Sequence, residues 1–220
     1  MPIHKTKNED FFKAWTADMA YVLGFFAADG SMSRNKRGGH YIEFQITDGD
    51  LLEKIRALLW SNNKITICDR GLNCKPIYRL QIGCKSMFED LERIGFMQNK
   101  TRVLAMPNVP QAVFSHFVRG YFDGDGNVWK GTIHKFDRSH PSQALKICFT
   151  SGSENFLHSL KAQLRIFTGA HGGSLYYSRA FRLQYASFDS LKIYQFMYRD
   201  KGDMYLPRKK KAFDSFLENL

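Results

Sequence analysis

Two short stretches of this 220-residue chain place acidic side chains where they could do chemistry together. "YVLGFFAADGS" (21–31) aligns with "FVRGYFDGDGN" (117–127), so that Gly24 matches Gly120, Phe26 matches Phe122, Asp29 matches Asp125 and Gly30 matches Gly126. Carboxylate oxygens at two matched positions suit a hard divalent cation. The denser copy also invites a reading as a calcium loop starting at Asp123, with Asp125 and Asn127 as its next ligands. Such a loop needs glycine at its sixth position and glutamate at its twelfth. The sequence has Val128 and His134 there, so that reading fails.

Both stretches read as helices that end at the aspartate. "DMAYVLGFFAAD" is apolar on almost every side and is expected to be buried. Gly24 and Ala28 in one copy, and Gly120 and Gly124 in the other, lie one turn apart, a spacing that lets two helix backbones approach closely. Packed together, the helices would bring Asp29 and Asp125 to the same end of the pair. A carboxylate there meets the negative end of the helix dipole and the charge of its counterpart, and a divalent cation would offset both. Either aspartate alone reads as an ordinary residue before a helix-ending glycine. Both at matching positions of a basic repeat read as a metal site.

The elements after each copy recur in the same order. "HYIEFQIT" (40–47) sets Ile42, Phe44 and Ile46 against Tyr41, Glu43, Gln45 and Thr47, the pattern of a half-buried strand. "DLLEKIRALLW" (50–60) has helical spacing behind an Asp48 or Asp50 cap. "KITIC" and "PIYRLQIG" read as strands and "KSMFEDLERIGF" as a helix. The second half repeats this with "ALKICFT", "SENFLHSLKAQLRIF", "GSLYYS", "AFRLQYAS" and "FDSLKIYQFMY". The expected fold class is α+β, a tandem pair of units over 1–106 and 107–220 joined through "AMPNVPQAV" (105–113).

Thirty-two Lys and Arg against 21 Asp and Glu give a formal charge of +11, and 44% of residues are apolar. A folded, basic chain of this kind points to a polyanionic partner, nucleic acid first; the bland alternative is a protein that is merely soluble and basic. "MPIHKTKNEDFFKAW" lacks the apolar segment of a secretory signal. No run approaches the roughly 18 apolar residues of a membrane span, so no membrane partner is expected. Cys68, Cys74, Cys84 and Cys148 form no C-x-x-C pair, which argues against zinc and for reduced, intracellular thiols. The sequence does not choose between a bacterial cytoplasm and an organelle.

With these residues in view, "VLGFFAADG" (22–30) and "VRGYFDGDG" (118–126) resemble the nine-residue signature of the LAGLIDADG homing endonucleases, in the single-chain, two-motif form. The resemblance covers nearly the whole chain. Ala27 stands where the signature has its first aspartate, and Asp123 keeps that residue. The resemblance implies two pseudo-symmetric αββαββα units, with saddle-shaped antiparallel sheets around a central pair of packed helices. It implies a monomer acting on double-stranded DNA, with a staggered double-strand break at a long asymmetric target. The implied cofactor is Mg2+, for which Mn2+ or Ca2+ can substitute in binding.

The resemblance also distributes roles. Asp29 and Asp125 hold metal and activate water, with Ala28 and Gly124 beside them in the metal set. Lys100 and Lys209 are the catalytic lysines, Lys210 being the alternative to Lys209. Asp48 and Ser151 are secondary active-site candidates. DNA reading falls to the outward strand faces: Tyr41, Glu43, Gln45, Thr47, Lys64, Thr66, Lys75, Arg79 and Gln81 in the first half. In the second half the set is Lys146, Thr150, Tyr176, Arg182 and Gln184. Arg and Lys suit guanine, Gln suits adenine and Glu accepts from cytosine. The stretches 34–40 and 130–140 are expected as loops reaching the DNA backbone or flanking bases. The rival readings are an intron RNA-splicing maturase and a non-cleaving DNA-binding protein on the same fold. With Met1 at one end and "ENL" at the other, an intron-encoded or free-standing protein is expected over an intein-embedded one.

Overall fold

In the computed structural model, which describes residues 5–69, 71–72, 74–134, 140–200 and 202–218, the chain is α+β. Helix α1 (Ala17–Asp29) is entered through Thr16, whose hydroxyl accepts from the Met19 N–H at 3.0 Å. It is followed by β1 (Gly30–Arg34), β2 (His40–Ile46), α2 (Gly49–Leu58), β3 (Ile65–Cys68), β4 (Ile77–Gly83) and α3 (Lys85–Ile94). The order then repeats with α4 (Phe114–Asp125), β5 (Gly126–Ile133), β6 (Ser142–Ser151), α5 (Glu154–Thr168), β7 (Ser174–Ser178), β8 (Ala180–Ala186) and α6 (Ser187–Tyr198). A last helix, α7 (Pro207–Leu217), has no counterpart after α3, where a single 3-10 turn (Lys100–Arg102) stands instead.

The strands form two antiparallel sheets of matching order, β1-β2-β4-β3 and β5-β6-β8-β7. Their registers correspond: Gly30 faces Phe44 and Phe44 faces Leu80, as Gly126 faces Phe149 and Phe149 faces Leu183. The Phe26 ring meets Phe44 edge-on at 5.3 Å, and Phe122 meets Phe149 at 5.4 Å. The pseudo-two-fold therefore extends from the motifs into the core beneath each sheet. Among the described residues no helix is long and apolar enough to cross a membrane.

The centre is the α1–α4 pair. A methyl group added at Gly24 would fall 2.0 Å from the Phe117 carbonyl oxygen, and one at Gly120 would fall 2.0 Å from that of Tyr21. The two backbones are thus in direct contact at symmetric places. Gly30 and Gly126 end the helices with φ −91° and ψ 157°, a conformation open to any residue. They do not act as left-handed caps. A side chain at Gly30 would instead collide with the Phe26 ring at 2.1 Å, and one at Gly126 with Phe122 at 2.2 Å.

Three sequence expectations change. Asp48 occupies the cap position of α2 but makes no capping hydrogen bond; its carboxylate faces Arg208. The stretch 130–140 is not a loop throughout, because β5 runs to Ile133 and Lys130 bonds Ser215 Oγ at 2.6 Å; residues 135–139 lie outside the described residues. In 34–40, Arg34 closes β1, pairs with Glu92 at 2.7 Å and lies over the Phe88 ring. That leaves Lys36 and Arg37 exposed on the turn.

Candidate active site and nucleic-acid interface

The packed helices bring Asp29 and Asp125 together at one end, as the glycine spacing predicts. Their oxygens sit close to the opposite motif: Asp29 Oδ2 is 3.1 Å from where a Gly124 side chain would begin, and Ala28 Cβ is 2.4 Å from that point. Gly124 therefore leaves space that Asp29 uses. Burial, then the charge of Asp125, pushes the Asp29 carboxyl up from 3.8 to about 7, against the opposing pull of Lys209 and Lys100. Burial likewise raises Asp125, with Lys100 and then Lys209 opposing.

The unfavourable meeting of carboxylates and helix C-termini is relieved by lysines. Lys209, 4% exposed, offers its ammonium to the carbonyls of Phe122 (2.5 Å), Asp123 (2.8 Å), Gly124 (3.4 Å) and Gly126 (2.6 Å). Phe122, Asp123 and Gly124 belong to the last turn of α4, where carbonyls run short of intrahelical donors, and Gly126 is the residue that caps it. Lys100, 7% exposed, bonds one carbonyl, that of Ala27, at 2.9 Å. Burial lowers both lysines from 10.5 to about 8. The attractions within the pair cross over: Lys100 feels Asp125 more than Asp29, while Lys209 feels Asp123 most and then Asp29 more than Asp125. Each aspartate is thus served mainly by the other unit's lysine.

Position on the helix separates Lys209 from Lys210. Lys210 pairs with Asp214 at 2.6 Å, and it is Lys209 that meets the end of α4. Lys209→Met is expected to destabilise the fold by about 2–4 kcal/mol, because buried carbonyls lose their donor. Lys210→Met, which breaks a partly exposed pair, should lose under about 1 kcal/mol. Urea unfolding of the two variants checks the assignment, and equal losses would contradict it.

Asp123 has a role the sequence did not suggest. It is 1% exposed, and its Oδ2 accepts from Tyr21 Oη at 2.7 Å and from the Leu206 N–H at 2.9 Å. It ties α1 to the segment that delivers Lys209. Burial pushes its carboxyl up to about 6. Beside it, buried Arg119 donates to the carbonyls of Met204 (2.9 Å) and Met197 (2.5 Å). At the matching first-unit positions stand Ala27 and Leu23, which cannot do this.

The aspartates open into unequal cavities. Asp29 lines one of about 260 Å³ with Gln45, Thr47, Asp123, Gly124 and Arg208. Asp125 lines one of about 630 Å³ with Arg102, Thr150, Ser151 and Arg179. Ser151 is in place, its Oγ accepting from the Ser153 N–H at 3.1 Å. Asp48 does not line the Asp29 cavity and reaches it only through Arg208. Among the described residues no cluster of three or more His, Cys, Asp or Glu forms a ready-made metal cage. Two close carboxylates still suit a cation that keeps most of its ligands as water or substrate oxygens.

Strand pairing puts most of the expected DNA-reading residues on two outward faces. In the first sheet Glu43 is opposite Gln81, Gln45 opposite Arg79, and Thr66 opposite Arg79. Tyr41 shares this face and takes a bond from Asn35 at 3.2 Å. Thr47 follows the strand into the Asp29 cavity, while Lys64 and Lys75 flank β3 and β4 and are exposed. Glu43 is a correction. It is 8% exposed, and its carboxylate takes Arg79, Gln81 (2.9 Å) and Gln45 (2.5 Å), so it organises its neighbours and is not free to accept from a base. In the second sheet Lys146, Thr150, Tyr176, Arg182 and Gln184 share one face, with Tyr176 opposite Arg182 and its hydroxyl 3.2 Å from Gln184. Alternation along β5 adds Asn127 and Trp129 to that face, Trp129 lying opposite Lys146 with the ammonium 5.3 Å from its ring. In the first sheet Ser31 and Ser33 of β1 join in the same way. The alternation in "GNVW" and "GSMS" was the available signal.

Paired motif helices flanked by two such sheets define a LAGLIDADG-type architecture, and the comparisons agree. Residues 16–95 match the LAGLIDADG-like domain family. The match falls on the first unit, and the second unit repeats that unit's sheet order. No curated protein sequence matches it significantly. Among solved structures, the homing endonuclease I-WcaI bound to its DNA recognition sequence aligns over 93% of this chain and 90% of its own, with TM-score 0.63 and 16% identity. LAGLIDADG meganuclease I-AabMI bound to uncleaved DNA aligns over 90% and 88%, with TM-score 0.61 and 15% identity. I-SmaMI bound to its uncleaved DNA target in the presence of calcium ions aligns over 93% and 90%, with TM-score 0.62 and 11% identity. At such identities the likeness is one of fold.

Proposed function

We propose that this chain is a site-specific endonuclease of double-stranded DNA that cuts both strands, with a stagger, in the presence of Mg2+. The observation that carries the reading is the Asp29–Asp125 pair, held at adjoining helix ends where the buried Lys100 and Lys209 bond the carbonyls of the same two helices. The net charge of +11 and two polar, basic sheet faces fit a duplex. Relatives of the same fold are seen on DNA.

Asp29 and Asp125 would hold the divalent cation, which supplies charge neutralisation at the phosphate and a more acidic water. The raised carboxyls fit that duty, since a pair short of positive charge gains most from a cation. Lys100, with one carbonyl partner, keeps hydrogens for substrate or solvent. Lys209, committed to the helix end, sets the position of the carboxylates instead. Gln45, Arg79, Lys146, Arg182 and Gln184 supply the groups suited to base edges, and the unlike halves imply an asymmetric target.

The test is to select bound duplexes from a randomised library, then incubate them with Mg2+ or EDTA and map both strands. Metal-dependent cuts a few bases apart on opposite strands are expected. Tight binding with no cut under any divalent cation would sink the nuclease reading and favour a maturase or a non-cleaving binder.

A further inference from the structure

We propose that Arg208 grips the backbone phosphate at the Asp29 centre, and that Asp48 parks it until DNA arrives. This rests on the DNA reading above. Arg208 lines the same cavity as Asp29 and Gly124. It occupies the first turn of α7, immediately before Lys209, whose ammonium is fixed to four carbonyls. The backbone of Arg208 is therefore anchored, while its side chain is 53% exposed and can turn.

Among the described residues its guanidinium bonds Asp48 alone, with Nη2 at 3.1 Å from Oδ2 and Nε at 3.3 and 3.4 Å from the two oxygens. Charge-assisted bonds of this kind close to about 2.7–2.9 Å when well made. The bridge is loose and solvent-facing, the class of ion pair that contributes little to stability. A phosphodiester entering the cavity presents oxygens to the same planar fork, and guanidinium matches that geometry in a way ammonium does not. Exchange of Asp48 for phosphate then loses little and gains a contact to the strand being positioned over Asp29.

The second centre lacks the parking partner. Ser153 caps α5 where Asp48 stands before α2, and its hydroxyl accepts from the Phe156 N–H and donates to the Leu104 carbonyl. Arg102 lines the Asp125 cavity and makes no ion pair or side-chain hydrogen bond to a described residue. The two centres consequently differ before DNA binds: one arginine is held by a carboxylate and the other is free to meet phosphate.

The experiment uses the full chain and a library-selected duplex carrying a neutral methylphosphonate at one linkage at a time across the central base pairs of both strands. Affinities are measured in Ca2+ for wild type, Arg208→Gln, Arg208→Lys and Asp48→Ser, and strand-resolved cutting is followed in Mg2+. At one linkage, on one strand only, neutralisation should weaken wild type about fivefold more than Arg208→Gln. Arg208→Lys should recover part of that difference. Asp48→Ser should speed cutting of that same strand and leave the other unchanged, with melting temperature held. Coupling below about twofold at every linkage would overturn the proposal, as would equal slowing of both strands in Arg208→Gln. If wild type binds without cutting, the nuclease reading fails while the methylphosphonate cycle still decides the arginine. If no duplex is recovered, both fall.

Discussion

Asp29→Asn and Asp125→Asn are each expected to lose DNA cleavage by about a thousandfold or more, the scale of a lost metal-activating carboxylate, while binding in Ca2+ changes little. The same substitution should make the metal-free protein more stable at pH 8. Asp29 is held at about 7 by burial and by Asp125, so above that pH the native state carries a charge it resists. An amide of the same shape does not. For Asp29→Asn the gain is on the order of 2–4 kcal/mol, from roughly 1.4 kcal/mol per unit of displacement. Activity lost together with stability gained separates a site under electrostatic load from a structural carboxylate, whose removal would lower both. Urea midpoints in EDTA, beside strand-mapped cleavage, read the two effects; a destabilised Asp29→Asn would contradict the assignment.

The same loading gives a pH signature. Between its unfolded value of 3.8 and about 7, Asp29 binds more proton in the native state than in the unfolded chain, so stability falls as pH rises through that window. Asp123, raised to about 6, acts in the same direction. Lys100 and Lys209, lowered from 10.5 to about 8, bind less proton in the native state between those values, so stability recovers as pH climbs through them. Metal-free stability should therefore dip between pH 7 and 8, and Mg2+ should fill the dip. A wild-type profile parallel to that of Asp29→Asn across this range would show that the carboxylate is not loaded.

Much of this arrangement was legible because it rests on short-range patterns. The small residues Gly24, Ala28, Gly120 and Gly124 predicted the close helix pair, and alternation in "HYIEFQI" and "AFRLQYA" predicted two of the strands and their outward faces. Strands β1 and β5 were harder to read. "GSMSR" has few β-branched or aromatic residues, and its strand state comes from pairing with β2, a tertiary effect. Helix α7 was hidden by its own basic run, although Pro207 at its start and Phe213 and Phe216 at helical spacing were signals. Lys209 and Lys210 differ by one position, and only packing decides which one meets α4. Glu43 sits on the face that alternation assigns to it, but its capture by Arg79 and Gln81 depends on register across two strands. The bridge from Asp48 to Arg208 joins residues too distant for any local pattern to connect.

Gly24→Ala and Gly120→Ala are expected to destabilise the protein by roughly 3 kcal/mol each, the upper part of the range for overpacking. The sign is the informative part. Inside a helix, glycine is ordinarily about 1 kcal/mol worse than alanine, so the change would normally stabilise. Here the new methyl would stand 2.0 Å from a backbone carbonyl of the other motif helix, Phe117 in one case and Tyr21 in the other. No rotamer can relieve a clash with main chain, so the helices must part. Parting them also loosens the joint placement of Asp29 and Asp125, and the dip near pH 7–8 and its repair by Mg2+ should shrink together with stability. The pseudo-symmetry requires the two variants to behave alike. Denaturant titrations of both, at pH 5 and pH 7.5 with and without Mg2+, measure all of this at once. If either alanine variant is as stable as wild type, the backbone-to-backbone contact is not what sets the spacing of the aspartates. In that case the burial that loads Asp29 must come from elsewhere in the core.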